Sequence, residues 1–195
     1  LKDGSAAAIY GTRGTNGVIL VTTKRGQTGT TNVSYNGYIS TSTVLNTLDV
    51  MSAKQFKENG GADYGAETNW LDEVTRVPFS HSHNLSISGG TNNFNYRSSV
   101  AYKDQQGIQL NNGYQEVIAR FVASQSFLNN KVRAEYDVTY RRQDRQNASN
   151  GVFRQAMSAN PTYPVYDEAF AEWGGFWRPE VTGSSNPLAS LLQRT

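Results

Sequence analysis

The sequence predicts a mainly β protein whose long strands run antiparallel in up-and-down order as part of a transmembrane β-barrel, with short helices in its loops. Three observations carry that prediction. Successive stretches alternate apolar and polar residues at a period of two, the mark of strands with two unlike faces. Several run to about ten residues, longer than the usual soluble strand of about 5–6 and matched to the ~9–11 that cross a bilayer at a tilt. The connections between them are long, short, medium, short and long in turn, the rhythm of a meander whose two ends face different surroundings.

Composition agrees. Of 195 residues, 37% are hydrophobic and 17% charged, too little apolar content for an ordinary dense core and too little charge for a disordered chain. The 18 glycines and 11 tyrosines suit a β-rich protein with many turns. The absence of cysteine excludes a disulfide framework and a thiolate metal site. A net charge of +2, spread along the chain, points to no nucleic-acid partner. No apolar run approaches the roughly 20 residues of a membrane-spanning helix, but barrel strands escape such a scan. The chain opens inside a motif, without Met or a leader, and reads as a piece of something longer.

In chain order, Ser5 to Tyr10 reads as a helical turn that Asp3 or Ser5 caps and Gly11 stops. Gly11, Gly14 and Gly17 then lead into the β-branched run from Val18. A phosphate cradle needs the reverse order, glycines after a strand and before a helix, and a Gly-Lys-Ser/Thr ending that this stretch lacks. From Asn32 the alternation is strict. Val33, Tyr35, Gly37 and Ile39 share one face against Ser34, Asn36, Tyr38 and Ser40. Leu85 and Ile87 oppose Asn84, Ser86 and Ser88; Tyr96, Ser98, Val100 and Tyr102 oppose Arg97, Ser99, Ala101 and Lys103. Tyr114 to Phe127 is a less clean strand, and Val132 to Arg141 is the cleanest, with Tyr136, Val138 and Tyr140 on its apolar side. Tyr96, Tyr102, Tyr114 and Tyr140 fall at strand ends, where an interfacial girdle would sit. The excursion after the first strand holds a short helix, Ala53 to Asn59, capped by Ser52 and stopped by Gly60, and a second helical turn within Asn69 to Arg76. The tail from Asn160, rich in Pro, Gly and aromatics, reads as an ordered surface loop.

Few residues suggest chemistry. His81 and His83 share a strand face, but no further His or Cys is available to complete a metal site. The pairs Asp72/Glu73 and Asp167/Glu168 are adjacent acids that point to different faces, the pattern of exposed loop charge more than of catalysis. No nucleophile, base and orienter cluster, so an enzyme is not expected, nor a cofactor. Trp70, Trp173, Phe176 and Trp177 fall in the long loops, where aromatic faces either stack on sugar rings or pack the loops together.

The run from Leu1 to Gly26, LKDGSAAAIYGTRGTNGVILVTTKRG, resembles the end of the plug domain in SusC/RagA-type TonB-dependent outer-membrane transporters. YNGYIS at Tyr35, LDVMSAKQF at Leu48, TNWLDEV at Thr68, HNLSISGG at His83, YRSSVAYKDQQGI at Tyr96 and NPTYPVYDE at Asn160 continue the likeness. The resemblance implies a plug terminus over residues 1–28 and the first barrel strands over 29–195, with extracellular loops at about 44–80 and 147–195. It makes Gly11, Arg13, Gly14, Asn16 and Gly17 a structural motif that turns the plug's last helix into a strand. It implies import of a large nutrient, an oligosaccharide or sometimes a peptide, across the bacterial outer membrane through a barrel of about 22 strands. The implied partners are a SusD-like surface lipoprotein, outer-membrane lipid and the TonB-ExbB-ExbD complex, the last through a segment outside this chain. A soluble β-sandwich that binds carbohydrate, such as an adhesin module, shares the alternation and is the rival.

Overall fold

A computed structural model describes residues 28–148, 151–178 and 185–193, together with Gly11 and Lys24. The helical turn expected over Ser5 to Tyr10, the strand expected from Val18, and Arg13, Gly14, Asn16 and Gly17 lie outside them. Five strands, β1 (Gly29–Thr41), β2 (Phe79–Gly90), β3 (Phe94–Gln106), β4 (Gly113–Phe127) and β5 (Val132–Gln146), form one antiparallel sheet in sequence order. This is the expected meander. β1 and β2 begin before the expected stretches, at Gly29 and Phe79. β2 starts at Phe79 because side chains extend the ladder: Phe79 N–H donates to Gln106 Oε1 at 3.2 Å and Gln106 N–H to Ser80 Oγ at 3.0 Å. β5 ends at Gln146, where the final long segment was expected to begin, with Arg142 donating to Asp144 at 3.1 Å along the strand.

The two faces are kept apart by chemistry. Ser34 and Ser86 share a hydrogen bond of 2.7 Å across β1 and β2, and Arg141 donates to Glu116 at 2.7 Å across β5 and β4; both mark the polar face. The opposite face carries Ile39 at 70% exposure, Leu85, Val100, Phe121 and Val138 at 63%. The helices Trp70–Glu73, Val152–Ser158 and Pro187–Leu192 pack on one another. A sandwich would bury that apolar face under a second layer.

By internal contacts the chain divides into two units. The first takes in Leu1–Val33, Ile87–Ser98 and Phe121–Val138 and holds the short turns. Thr91 to Asn93 closes β2 to β3, with Thr91 N–H donating to the Phe94 carbonyl at 2.6 Å and Phe94 N–H to Thr91 Oγ1 at 3.2 Å. A Cβ on Gly90 would lie 2.5 Å from that carbonyl oxygen, so the close approach requires glycine. The β4–β5 turn places Leu128, Asn129 and Asn130 in the left-handed region, at φ 51°, 55° and 67°. Asparagine tolerates that conformation; leucine does so at a cost.

The second unit takes in Ser34–Ser86, Ser99–Arg120 and Thr139–Thr195 and holds the long loops. Helix α1 (Ala53–Glu58) has a complete capping box: Gln55 N–H donates to Ser52 Oγ at 3.3 Å and Ser52 N–H to Gln55 Oε1 at 3.0 Å. Gly60, at φ 83°, lets the chain leave it. Asn69 caps α2 (Trp70–Glu73). The tail, expected as loop alone, contains α3 (Val152–Ser158), a 3-10 helix (Glu168–Trp173) and α4 (Pro187–Leu192). Trp70, Val74, Val152, Ala156, Tyr163 and Leu191 form its buried core.

Candidate functional site: an interlocked loop assembly

The loops of the second unit are joined by a short zipper between residues far apart in sequence. Thr68 N–H donates to the Pro161 carbonyl at 2.8 Å, Ala66 N–H to the Thr162 carbonyl at 3.1 Å, and Tyr64 N–H to Thr162 Oγ1 at 3.1 Å. Thr68 Oγ1 donates to the Tyr163 carbonyl at 2.6 Å, and Asn160 Nδ2 to the Ala62 carbonyl at 3.1 Å. The Asn-Pro-Thr-Tyr stretch, Asn160 to Tyr163, therefore satisfies the backbone of residues 62–68, which would otherwise be an unpaired loop. The β3–β4 connection joins the same assembly. Arg76 N–H donates to the Ile108 carbonyl at 2.8 Å, and its guanidinium to the carbonyls of Gly107 and Asn112 at 3.1 and 2.9 Å.

Asn186 closes the tail onto this structure. Its Oδ1 accepts from Leu188 and Ala189 N–H at 3.1 and 3.2 Å, which caps α4, and its Nδ2 donates to the carbonyls of Val165 and Trp177 at 2.8 and 3.2 Å. Pro187 at the first helical turn completes the start. At 5% exposure, this amide uses both its acceptor and its donor ends.

The expected ligand-facing aromatics are placed as follows. Trp70 is 3% exposed and its Nε1–H donates to the Asn160 carbonyl at 2.9 Å. Phe176 is 9% exposed and packs on Tyr166 with ring centroids 5.1 Å apart. Trp177 is half-buried against Tyr163 at 4.2 Å, and Tyr64 completes the trio at 4.7 and 5.5 Å. Burial, reinforced by Tyr64, raises the Tyr163 hydroxyl above its usual pKa. Trp173 ends the 3-10 helix, and its side chain lies outside the description. Trp70, Phe176 and Trp177 thus pack within the loops, Trp70 through its bond to Asn160 and the other two against tyrosine rings. Gly11, alone of the described motif residues, has a φ of 66° that favours glycine.

The other candidates serve structure as well. Asp72 accepts from Asn69 Nδ2 at 2.6 Å, and Asp167 accepts from Ala169 N–H at 2.9 Å as a cap. His83 Nδ1 and Tyr35 Oη share a bond of 2.6 Å, and His81 packs among Phe79, His83 and Tyr102, on the sheet face that carries Leu85. No group of three or more His, Cys, Asp or Glu that could hold a metal occurs among the described residues. Tyr114 corrects the expected girdle. It lies with Lys103 and Arg145 on the polar face, because Gly113 starts β4 in a register that turns its even positions that way. An apolar cavity of about 530 Å³ opens between Met51, Phe56, Trp70, Met157 and Pro161.

Missed in the sequence were Asn186 and the Thr162 zipper. The Asn-Pro pair at 186 carried a helix-start signal; the zipper has none, because it is a long-range pairing.

TonB-dependent receptor SusC of Bacteroides thetaiotaomicron is 35% identical to this chain, across 96% of the chain and 20% of that receptor. TonB-dependent receptor P26 of Formosa agariphila is 32% identical, across 100% of the chain and 21% of the receptor. Among solved structures, the RagAB peptide importer in its closed-closed state matches with a TM-score of 0.70 at 18% identity, covering 96% of this chain and 27% of the other. Its open-open state matches at 0.62 and 20% identity, covering 76% and 21%. At those identities the structural likeness speaks of fold alone. No family model matches the chain. The chain spans about a fifth of the length of the curated relatives it matches. Along nearly all of its own length, it is related to the TonB-dependent receptors, SusC among them, and corresponds to one part of such a protein.

Proposed function

We propose that the whole protein is a TonB-dependent importer that carries a large nutrient, a glycan or a peptide, across the bacterial outer membrane. The observation that carries this is the two-faced sheet: an exposed apolar side suits lipid, and a polar side suits an aqueous lumen. On this reading residues 1–28 end the plug and residues 29–195 begin the barrel; the start of β1 at Gly29 supports that boundary. The loops at 42–78 and 147–195 lie outside the cell, where the interlocked assembly forms a firm rim. A SusD-like surface lipoprotein is the partner at that rim, and TonB-ExbB-ExbD supplies energy through a segment outside this chain. The protein moves cargo and does no covalent chemistry on it.

Fractionation of cells that express the full-length protein, followed by detergent pull-down, tests this. Recovery in the outer membrane with a lipoprotein is the expected result. Recovery as a soluble monomer would overturn the reading in favour of a carbohydrate-binding sandwich.

A further inference from the structure

The cavity of about 530 Å³ in the second unit is walled by α1, α2 and α3. Both methionines of the chain, Met51 and Met157, line it, together with Phe56, Trp70 and Pro161. Thioether side chains adapt to apolar groups of varied shape. The neutral polar side chains of the wall are already engaged. Ser52 Oγ accepts from Gln55 N–H at 3.3 Å, and Thr68 Oγ1 donates to the Tyr163 carbonyl at 2.6 Å. Asn69 Oδ1 accepts from Leu71 N–H at 3.3 Å and its Nδ2 donates to Asp72 at 2.6 Å, while Ser158 Oγ donates to the Arg154 carbonyl at 2.9 Å. The charged lining residues are Lys54 and Glu67, one of each sign. Such a wall gives the hydroxyls of a sugar few partners and selects neither sign of charge; it suits an uncharged apolar group. Its volume falls within the roughly 300–1,000 Å³ of small-ligand sites.

The chain beside the cavity adds a second element. Residues 46–51 run without helix, strand or turn up to the Ser52 cap, and Val50 and Met51 of this run line the cavity. Among the described residues, no hydrogen bond reaches the main chain of residues 43–51. Spare N–H and C=O groups next to an apolar pocket are what holds an extended peptide: its main chain pairs while one of its side chains is buried.

We propose that residues 46–51 and this cavity bind an extended stretch of peptide cargo, with a large uncharged apolar side chain of that peptide in the cavity. The proposal rests on the importer reading and, within it, chooses peptide over glycan. The scale is that of a short ligand, since a stable protein–protein interface spreads over roughly 800 Å² per partner.

The test uses the full-length receptor, purified in detergent from the outer membrane with its lipoprotein, and four uncharged probes. These are acetyl-Ala-Leu-Leu-Ala-amide, its counterpart with serine for leucine, the leucine peptide N-methylated along its main chain, and maltotetraose. The leucine peptide binds at least about tenfold more tightly than the serine peptide, at low and high salt alike, and N-methylation weakens it. The Met51→Asp/Met157→Asp double variant, altered at two exposed side chains, loses that preference, and Met51→Leu/Met157→Leu keeps it. A leucine peptide carrying a photoreactive diazirine in the leucine side chain labels the receptor within residues 46–70 or 151–161, which locates the site should the aspartate variant fail to fold. Equal binding of the leucine and serine peptides, binding of maltotetraose alone, a preference that survives the aspartate variant, or labelling of the lipoprotein instead of the receptor would overturn the site and leave the importer reading standing. Absence of the receptor from the outer membrane would overturn that reading first.

Discussion

The indole N–H of Trp70 donates to the main-chain carbonyl of Asn160 at 2.9 Å, joining two loops separated by 90 residues. Trp70→Ala removes a buried ring and this bond together and is expected to cost the loop assembly about 3–5 kcal/mol. Limited proteolysis of the full-length receptor would show new cleavage within residues 151–178, while far-ultraviolet circular dichroism shows the sheet retained. An unchanged digestion pattern would contradict the role given to this pair.

Asn186 offers a sharper dissection. Asn186→Ala removes the α4 cap, at about 0.5–2 kcal/mol, and leaves the Trp177 carbonyl without the amide donor, at about 1–3 kcal/mol more, while the Val165 carbonyl keeps the Trp177 N–H. Asn186→Ser keeps a cap acceptor and loses the amide donor. Hydrogen exchange across residues 186–193 should therefore rank Asn above Ser above Ala in protection.

Tyr163 gives the loops an alkaline limit. Burial raises its folded pKa above the ordinary value of 10.0, so the neutral hydroxyl is favoured in the folded state. That contribution is fully present below pH 10.0 and is lost as pH rises through the folded pKa, where the unfolded chain ionises first. Near-ultraviolet dichroism from the trio with Tyr64 and Trp177 should fade above that pH, and Tyr163→Phe should remove the dependence due to this group.

Leu128 holds a left-handed φ of 51° at an exposed turn. Leu128→Gly should relieve about 1–2 kcal/mol of steric cost, offset in part by the greater freedom of glycine when unfolded. A small net rise in the urea midpoint of the full-length protein is expected. Leu128→Val, β-branched at the same φ, should lower it.

The apolar face can be tested one residue at a time. Tryptophan placed at Val138 of the full-length protein in brominated lipid should be quenched strongly, and tryptophan at Thr139 weakly, since alternate residues face opposite sides. Protection at 138 would place that face against protein.

The strands were legible because alternation is a local signal: Val132 to Tyr140 states its two faces in nine consecutive letters. Ser52 with Gln55 and Asn69 before Trp70 likewise announced their helices by cap chemistry alone. Helix α3 did not, because Gly151 offers no side-chain cap and the first turn has no acid. Trp70 as a hydrogen-bonded core residue depends on Asn160, and a partner that distant leaves no mark in a window of neighbouring letters. Tyr114 was assigned to the wrong side because β4 has Glu116, Ile118 and Arg120 on one face, a mixture that fixes no register.

The zipper between residues 62–68 and 160–163 also fixes an order of events. The hairpins β2–β3 and β4–β5 close over three and four residues and need little chain entropy, whereas the zipper must bring together segments nearly a hundred residues apart, with four strands between them. Paired strands shorten that search by carrying both segments to one end of the sheet. The rim therefore sets only after β2 to β5 have paired, and until then Trp70, Val152 and Leu191 stand exposed: during assembly, this is the part of the chain most in need of protection from other chains.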